Sequence, residues 1–423
     1  IPEEEVTRRT IMRYYKRKNP MLIREMIRNV YKECKGVPKS NCLTKEQRLS
    51  LQMDEFMNRR YEFRYNTQIG EVEYRERFSF QFYFHPIDKR AQNSIMLDAQ
   101  SEGIGVWDRD IDRYLHSNRV PIYNPLEEFL FHLPHWDGKD RIHALANRVP
   151  CKNPHWELLF HRWFLNMVSH WRGVDKMHAN NTSPILVGRQ GTHKSTFCRE
   201  MIPPALRAYY TDSIDFSHKR DAELYLNRFA LINIDEFDQI TLPQQGFLKH
   251  ILQKPVVNLR KPHGRSVLEL QRYASFIGTS NQKDLLTDPS GSRRFICIEV
   301  TGNIDTTQPI DYEQLYAQAM HEISHGERYW FNSEDEQIMT ENNREFEQTP
   351  AMLQLFYQYF RAPQAGEEGE FFTPVEILNY LKKKSGISLS DNKVYHFGRM
   401  LQKCGITSKH TYKGTVYQVV KIL

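Results

Sequence analysis

The stretch GRQGTHKST, residues 188–196, constrains the fold of this chain more than any other part of the sequence. It follows the apolar run SPILV and precedes the helix-like pattern KSTFCREMI, which is the strand–loop–helix context of a phosphate-binding loop. The usual pattern, G-x-x-x-x-G-K-[ST], has glycine directly before the lysine, whereas this chain has His193. Histidine is among the side chains enriched at positive φ, so we predict that the loop keeps its shape.

The residues of this loop have predicted roles in binding phosphate and Mg²⁺. Gly188 and Gly191 let the main chain curl so that its N–H groups converge on phosphate oxygens. Lys194 would bring positive charge to the β- and γ-phosphates, Ser195 a hydroxyl to Mg²⁺, and the following helix the positive end of its dipole. Taken alone, the pattern also fits an ordinary strand–turn–helix. The predicted nucleotide-binding residues are Gly188, Arg189, Gln190, Gly191, Thr192, His193, Lys194, Ser195 and Thr196.

Two acids follow the next apolar strand candidate, ALINIDEFD, at Asp235 and Glu236. The carboxyl ends of strands are where ligands collect in an open α/β sheet. We therefore predict that Asp235, with Ser195, holds Mg²⁺, and that Glu236 polarises an attacking water. Adjacent acids are otherwise ordinary solvated residues.

Two further motifs complete the set. SFIGTSN ends an apolar strand in Asn281, whose neutral amide can orient a water, although asparagine is also a common turn residue. DPSGSRRF has Arg293 and Arg294 in a Gly/Ser-rich turn before another strand. Arginines in such a place stabilise transition-state charge, often from a neighbouring subunit. An isolated arginine pair would be read as surface residues.

Strands that alternate with helices predict an α/β fold with a parallel sheet. Upstream, RYEFRYNTQIGEVEYRERFSFQFYF (60–84) predicts a hairpin around TQIGE. RAPQAGEEGE (361–370) has the composition of a linker. Beyond it, TPVE is a capping box, and SKHTYKGTVYQVVKIL predicts two strands around Lys413-Gly414, so the tail is predicted to be a winged helix.

The chain has a net charge of +6. The first 50 residues sum to +7 and the remaining 373 residues to −1. That segment interleaves cations with tyrosines, which suits a nucleic acid and equally suits a solvated basic helix face. The six cysteines are scattered with no C-x-x-C pair, which argues against a zinc ribbon or a disulfide framework and fits a cytoplasmic setting. No apolar run approaches the roughly 18 residues of a membrane span, and the first residues resemble no signal peptide.

The loop, INIDE, FIGTSN and GSRRF together resemble the ATPase core of the virulence-associated E family, which is related to superfamily III helicases of the AAA+ type. The resemblance extends over about residues 58–300 and departs from the family pattern at His193, which bears on turnover rate more than on binding. It implies a ring, usually of six subunits, with ATP between neighbours and DNA in the channel. It also implies that Asn281 senses the γ-phosphate and that Arg293 or, by slight preference, Arg294 is an arginine finger.

The resemblance also gives a role to VVNLRKPHGRSVLELQRYAS (256–275), which predicts a hairpin directly before the Asn281 strand. In superfamily III helicases such a hairpin grips the DNA backbone. Lys261 and His263 would lie at its tip, flanked by Arg260 and Arg265; the alternative is an ordinary surface hairpin. In the tail, Lys393, His396 and Arg399 share one helix face, which fits either a DNA-recognition helix or a solvated face.

The sequence therefore predicts an ATP-driven DNA helicase or replication-initiation ATPase of a phage or mobile element, with ATP and Mg²⁺ as cofactors. Expected partners are DNA, further copies in a hexameric ring, and a primase or other replication protein, but no membrane. The alternatives are an ATP-binding regulatory switch that does not unwind DNA, and a DNA-binding module with an inactive loop. The predicted domains are a basic helical segment (1–58), an α+β collar region (59–175), the P-loop ATPase core (176–300), a helical lid (301–360) and a winged helix (361–423).

Overall fold

The structure is a computed structural model that describes residues 44–80, 82–173, 177–259, 268–286, 289–348, 351–364, 366–386, 394–412 and 414–422. The chain divides into two compact units, residues 1–123 and residues 124–423. No helix within the described residues has the length and apolar character that crossing a bilayer requires.

The first unit packs three helices against a small sheet. Strands β1 (Tyr61–Asn66) and β2 (Glu71–Glu76) pair antiparallel, which confirms the predicted hairpin, and Gly70 adopts φ 72° in the turn. The remaining elements of this unit are α1 (Lys45–Arg60), β3 (His85–Pro86), α2 (Lys89–Ser101), α3 (Asp108–Leu115) and β4 (Ile122–Tyr123). The sheet order is β3-β2-β1-β4.

The second unit begins with α4 (Pro125–Phe131), α5 (Arg141–Ala146) and α6 (Trp156–Trp171). Most of the surface of helix α6 is apolar, so the helix is stable only when it is surrounded by protein. Its side chains Trp163 and Trp171 are fully buried. This helix therefore belongs to the core that supports the central sheet.

The central sheet has five strands, which are β5 (Ser183–Val187), β6 (Tyr210–Thr211), β7 (Leu231–Ile234), β10 (Ser275–Ser280) and β11 (Phe295–Glu299). Their order is β11-β5-β10-β7-β6, and every neighbouring pair is parallel. This confirms the predicted α/β class with a parallel sheet. The strands β5, β7 and β10 are buried along their whole length, which explains why they read as continuous apolar runs. The helices between these strands are α7 (Lys194–Glu200), α8 (Lys219–Arg228) and α9 (Leu242–Leu252).

A separate hairpin lies between α9 and β10 in the chain. Strands β8 (Val256–Leu259) and β9 (Leu268–Gln271) pair antiparallel, with Val256 opposite Gln271. The predicted hairpin before the Asn281 strand is therefore confirmed at its base. The connecting residues 260–267 lie outside the described residues.

The C-terminal part contains the predicted helices and final hairpin, with one correction. The stretch 361–370 is more than a linker, because β12 (Phe360–Arg361) and β13 (Glu370–Phe372) at its ends both pair with the last strand. Strands this short carry no alternating pattern. The elements are α10 (Tyr312–Ser324), α11 (Ser333–Asn343), α12 (Ala351–Tyr359), α13 (Pro374–Ser385), α14 (Val394–Lys403), β14 (Ser408–Thr411) and β15 (Gly414–Lys421). Thr373 and Glu376 form the predicted capping box.

Candidate active site

The predicted loop, acids and amide meet at one edge of the central sheet. Strand β10 lies between β5 and β7, so the segments that leave the carboxyl ends of these three strands are neighbours. They enclose a cleft of about 300 Å³, within the size range of ligand pockets. The cleft is lined by Gln190, Gly191, Thr192, His193, Lys194, Ser195, Thr196, Asp235, Glu236, Thr279 and Asn281.

The Lys194 ammonium connects the loop to the end of β10. Its Nζ donates to the main-chain carbonyls of Gly188 and Arg189, each at 2.8 Å, and lies 3.3 Å from Asn281 Oδ1. The side chain is only 6% exposed. Burial lowers the pKa of Lys194, while the negative charge of Asp235 acts in the opposite direction. The ammonium is thus held at the wall of the cleft by carbonyl oxygens that accept its hydrogen bonds.

Asp235 is the second centre of the cleft. Its Oδ1 accepts a 3.0 Å hydrogen bond from Ser195 Oγ and a short one from Thr279 Oγ1. Sequence reasoning missed Thr279, because a threonine inside an apolar strand carries no signal of its own. The carboxylate and the serine hydroxyl form the oxygen set that Mg²⁺ uses when it also keeps water and phosphate ligands. Among the described residues, no three His, Cys, Asp or Glu side chains are grouped to hold a metal by themselves.

Asp238 is another residue that the sequence did not single out. Its Oδ1 accepts a 2.8 Å hydrogen bond from Ser280 Oγ and lies 3.4 Å from the main-chain nitrogen of Asn281. Asp238 therefore fixes the end of β10, where the Asn281 amide faces Lys194. Only the strand order reveals this contact.

Two residues of the cleft have strained main chains. His193 has φ 64° and Glu236 has φ 52°, and among the described residues they are the only non-glycine residues at positive φ. Such conformations cost on the order of 1–3 kcal/mol each and cluster at functional sites. His193 thus adopts the left-handed conformation that glycine would normally supply, and its side chain is exposed beside the open cleft.

Gly188 meets a different constraint, because its neighbour approaches closely. A Cβ atom at this position would lie 3.0 Å from the main-chain oxygen of Val300 and 3.2 Å from its Cβ. A larger residue would push the start of the loop away from β11. Gly191, in contrast, has φ 83° and open space around it, so there the conformation alone favours glycine.

The two predicted arginines are not in the cleft of their own chain. Arg293 and Arg294 end a short 3-10 turn before β11, whose Phe295 pairs with Ser183 at the amino end of β5. The loop leaves the opposite end of β5, roughly 15 Å away at the usual rise per strand residue. Arg293 Nη1 forms a 3.0 Å ion pair with Glu336. A role in phosphate chemistry would therefore require the cleft of a neighbouring subunit, and it stays a prediction.

The predicted DNA contacts lie mostly beyond the described part of the chain. Arg260, Lys261, His263, Arg265 and Lys393 are outside the described residues. His396 lies within helix α14, and Arg399 is exposed on the same helix. Their roles stay predictions.

Two protein-family models match the middle and the C-terminal part of the chain. The model of the virulence-associated protein E-like domain matches residues 130–348, and a domain of unknown function from B. Theta (DUF3874) matches residues 349–419. No curated protein matches the chain.

Solved structures of the NrS-1 C-terminal region also resemble the chain. An apo structure is 11% identical, with 88% of this chain and 98% of that chain covered, at a TM-score of 0.43. An A-form apo structure of the same region is 12% identical, with 88% and 99% covered, at a TM-score of 0.41. With TM-scores below 0.5, these likenesses carry no argument about this chain.

Proposed function

This chain belongs to the virulence-associated protein E-like family, and on that premise we propose that it is an ATP-driven DNA helicase or replication-initiation ATPase of a phage or mobile element. One observation carries the proposal. Lys194, Ser195, Asp235 and Asn281, from three separate segments, are joined by hydrogen bonds of 3.0 and 3.3 Å around a single cleft.

The chemistry follows from these side chains. Lys194 supplies positive charge for the β- and γ-phosphates, and the loop main chain supplies N–H donors. Ser195 and Asp235 would hold Mg²⁺, which would neutralise charge that develops on the phosphate oxygens. Glu236 takes the proton of the attacking water, and the Asn281 amide orients that water. Thr279 and Asp238 keep Asp235 and the end of β10 in place through their hydrogen bonds.

We further propose that the protein works as a ring, expected to be hexameric. In chain order, the five strands of the central sheet are arranged 5-1-4-3-2, which supports an AAA+ type core. Arg293 and Arg294 lie at the amino end of β11, away from the cleft of their own chain. This position supports their use as arginine fingers in the cleft of a neighbouring subunit. ATP would then be shared by two subunits.

DNA is the proposed cargo. The hairpin β8–β9 leads through three residues into β10, so a hairpin that contacts DNA through Arg260, Lys261, His263 and Arg265 is joined directly to the Asn281 strand. The helices α13 and α14 with strands β13, β14 and β15 support a C-terminal winged helix, whose second helix carries His396 and Arg399. Lys393, outside the described residues, is proposed as a further DNA contact.

The test is Mg²⁺-dependent ATP hydrolysis with and without DNA, followed by unwinding of a forked duplex. We expect DNA to stimulate hydrolysis. Replacing both Lys261 and His263 by alanine should remove unwinding and leave basal hydrolysis. A regulatory switch would bind ATP and show no unwinding in the unchanged protein, and a DNA-binding module with an inactive loop would bind no ATP.

A further inference from the structure

The side chain of Arg272 is fully buried at the junction between the hairpin and β10. Its Nε donates to the main-chain oxygen of Ala274 at 2.9 Å, and its Nη2 to that of Asn180 at 3.0 Å. Its Nη1 donates to the main-chain oxygens of Leu252 and Lys254, each at 2.7 Å. Among the described residues, the acceptors of this guanidinium are main-chain carbonyls and none is a carboxylate.

A buried cation without a counter-charge is unfavourable, and an apolar side chain of similar volume is often equally stable or more stable. Here the cost is offset in part because each of the three guanidinium nitrogens donates to at least one main-chain carbonyl. Leu252 ends helix α9, where the helix dipole is negative and attracts a cation. Burial still lowers the pKa of Arg272 to about 9. A group kept at this cost suggests that a fixed arrangement is required rather than stability alone.

The acceptors of Arg272 belong to segments that are connected in the chain to the residues of the cleft. Helix α9 follows Asp235 and Glu236 in the chain, and Ala274 directly precedes strand β10, which Asn281 follows. Asn180 precedes β5 and the phosphate loop. The planar Arg272 side chain therefore contacts three segments, which are connected to the acids, to Asn281 and to the phosphate loop.

Asn180 extends this connection. Its Nδ2 donates to Ser275 Oγ at 2.8 Å, and its main-chain N–H donates to His170 Nε2 at 2.8 Å. The carbonyl that Arg272 contacts is therefore itself fixed to the first residue of β10 and to helix α6. The result is a buried polar network at the amino edge of the sheet.

The hairpin is held at the same point. Asn227 Nδ2 donates to the main-chain oxygen of Gln271 at 2.7 Å, and the N–H groups of Tyr273 and Ala274 both donate to the oxygen of Leu226. Lys254 forms a 2.6 Å ion pair with Glu223. The residues on both sides of the hairpin base are thus fixed to α8.

We propose that Arg272 is a positioning residue that couples the β8–β9 hairpin to the end of the sheet where the proposed nucleotide cleft lies. The hairpin, α9 and β10 would then move as one body. The coupling role rests on the proposed function. Arg272 lies roughly 25 Å from Asn281 along the strand and so does not touch the nucleotide. It acts by fixing the direction in which β9 enters β10.

The test uses Arg272→Lys in the full chain, because lysine keeps the charge but loses the planar fork that reaches several carbonyls at once. We expect DNA stimulation of ATP hydrolysis to fall about fivefold or more, the lower range of coupling between sites. Basal hydrolysis should stay within about twofold. Deuterium exchange should increase in Val256–Leu259 and Leu268–Gln271 and stay unchanged in Ser183–Val187.

The matched control is Gln318→Met, which removes a buried amide whose Nε2 donates to Asp140 and Glu322, each at 2.9 Å, away from the hairpin. It should lower the melting temperature and leave the DNA stimulation ratio unchanged. If Arg272→Lys behaves like this control, with both rates reduced equally and no added hairpin exchange, the proposal is overturned.

Should Arg272→Lys fail to fold, Ser275→Ala removes one partner of Asn180 and loosens the same network more gently. It should also raise exchange in the hairpin strands, and unchanged exchange there would overturn the proposal. If the unchanged protein hydrolyses no ATP, the proposed function fails. The exchange measurement then still decides whether Arg272 fixes the hairpin.

Discussion

The hydroxyl of Ser195 donates a 3.0 Å hydrogen bond to the carboxylate of Asp235, although the two residues are 40 positions apart in the chain. Ser195 is the second residue of helix α7, and Asp235 follows a strand that is not adjacent to β5. The contact exists because both segments end at the same sheet edge. It unites the two halves of the proposed magnesium site.

Lys194→Ala should reduce ATP hydrolysis at least about 100-fold, since removing one charge-stabilising group costs about that much or more. The substitution removes the ammonium that lies between the loop carbonyls and Asn281. Phosphate release over time is the measurement, with the exposed Lys152→Ala as the control. Hydrolysis at the unchanged rate in Lys194→Ala would end the enzymatic proposal.

Glu236→Gln should separate binding from turnover. The amide cannot take a proton from water, so hydrolysis should fall about 100-fold or more, while labelled ATP still binds. Asp235→Asn should instead weaken Mg²⁺-dependent ATP binding, because the carboxylate that accepts from Ser195 and Thr279 loses its charge. Equal loss of binding in both variants would contradict the separate roles of the two acids.

His193→Gly should keep hydrolysis and leave stability within about 1 kcal/mol, because relief of the positive φ is offset by the greater freedom of glycine in the unfolded chain. His193→Val should be less stable than the unchanged protein by about 1–2 kcal/mol, since a β-branched residue is strained in this conformation. Thermal unfolding and hydrolysis of both variants provide the comparison. Loss of activity in His193→Gly would mean that the imidazole itself acts in the reaction.

Mixing two inactive variants tests the shared site. Arg294→Ala and Lys194→Ala should each be inactive alone, and a mixture should regain part of the activity, since some interfaces then combine an intact cleft with an intact arginine. Arg293→Ala is tested in the same way, because its ion pair with Glu336 can open without loss of the fold. If neither arginine variant is rescued, the finger in trans is wrong.

The sequence was sufficient for features that depend on neighbouring residues. The loop between β5 and α7, the hairpin of β1 and β2, the hairpin base of β8 and β9, and the capping box at Thr373 all follow local patterns of apolar, glycine and capping residues. The acids at the end of β7 were predictable because an apolar run precedes them.

Other features depend on strand order and could not be predicted. Thr279 and Asp238 matter only because β10 lies beside β7 in the sheet. Arg272 reads as an ordinary cation before an apolar strand, yet it is fully buried among carbonyls from distant segments. No local sequence pattern predicts such contacts.

The most direct test of the central claim is deuterium exchange of the full chain with and without Mg²⁺ and ATP. If one triphosphate contacts the loop, the acids and the amide together, then residues 188–196, 235–236 and 279–281 should become protected in the same titration, and Lys194→Ala should lose all three effects. Protection of the loop alone, or of none of these segments at saturating ATP, would contradict a shared nucleotide site.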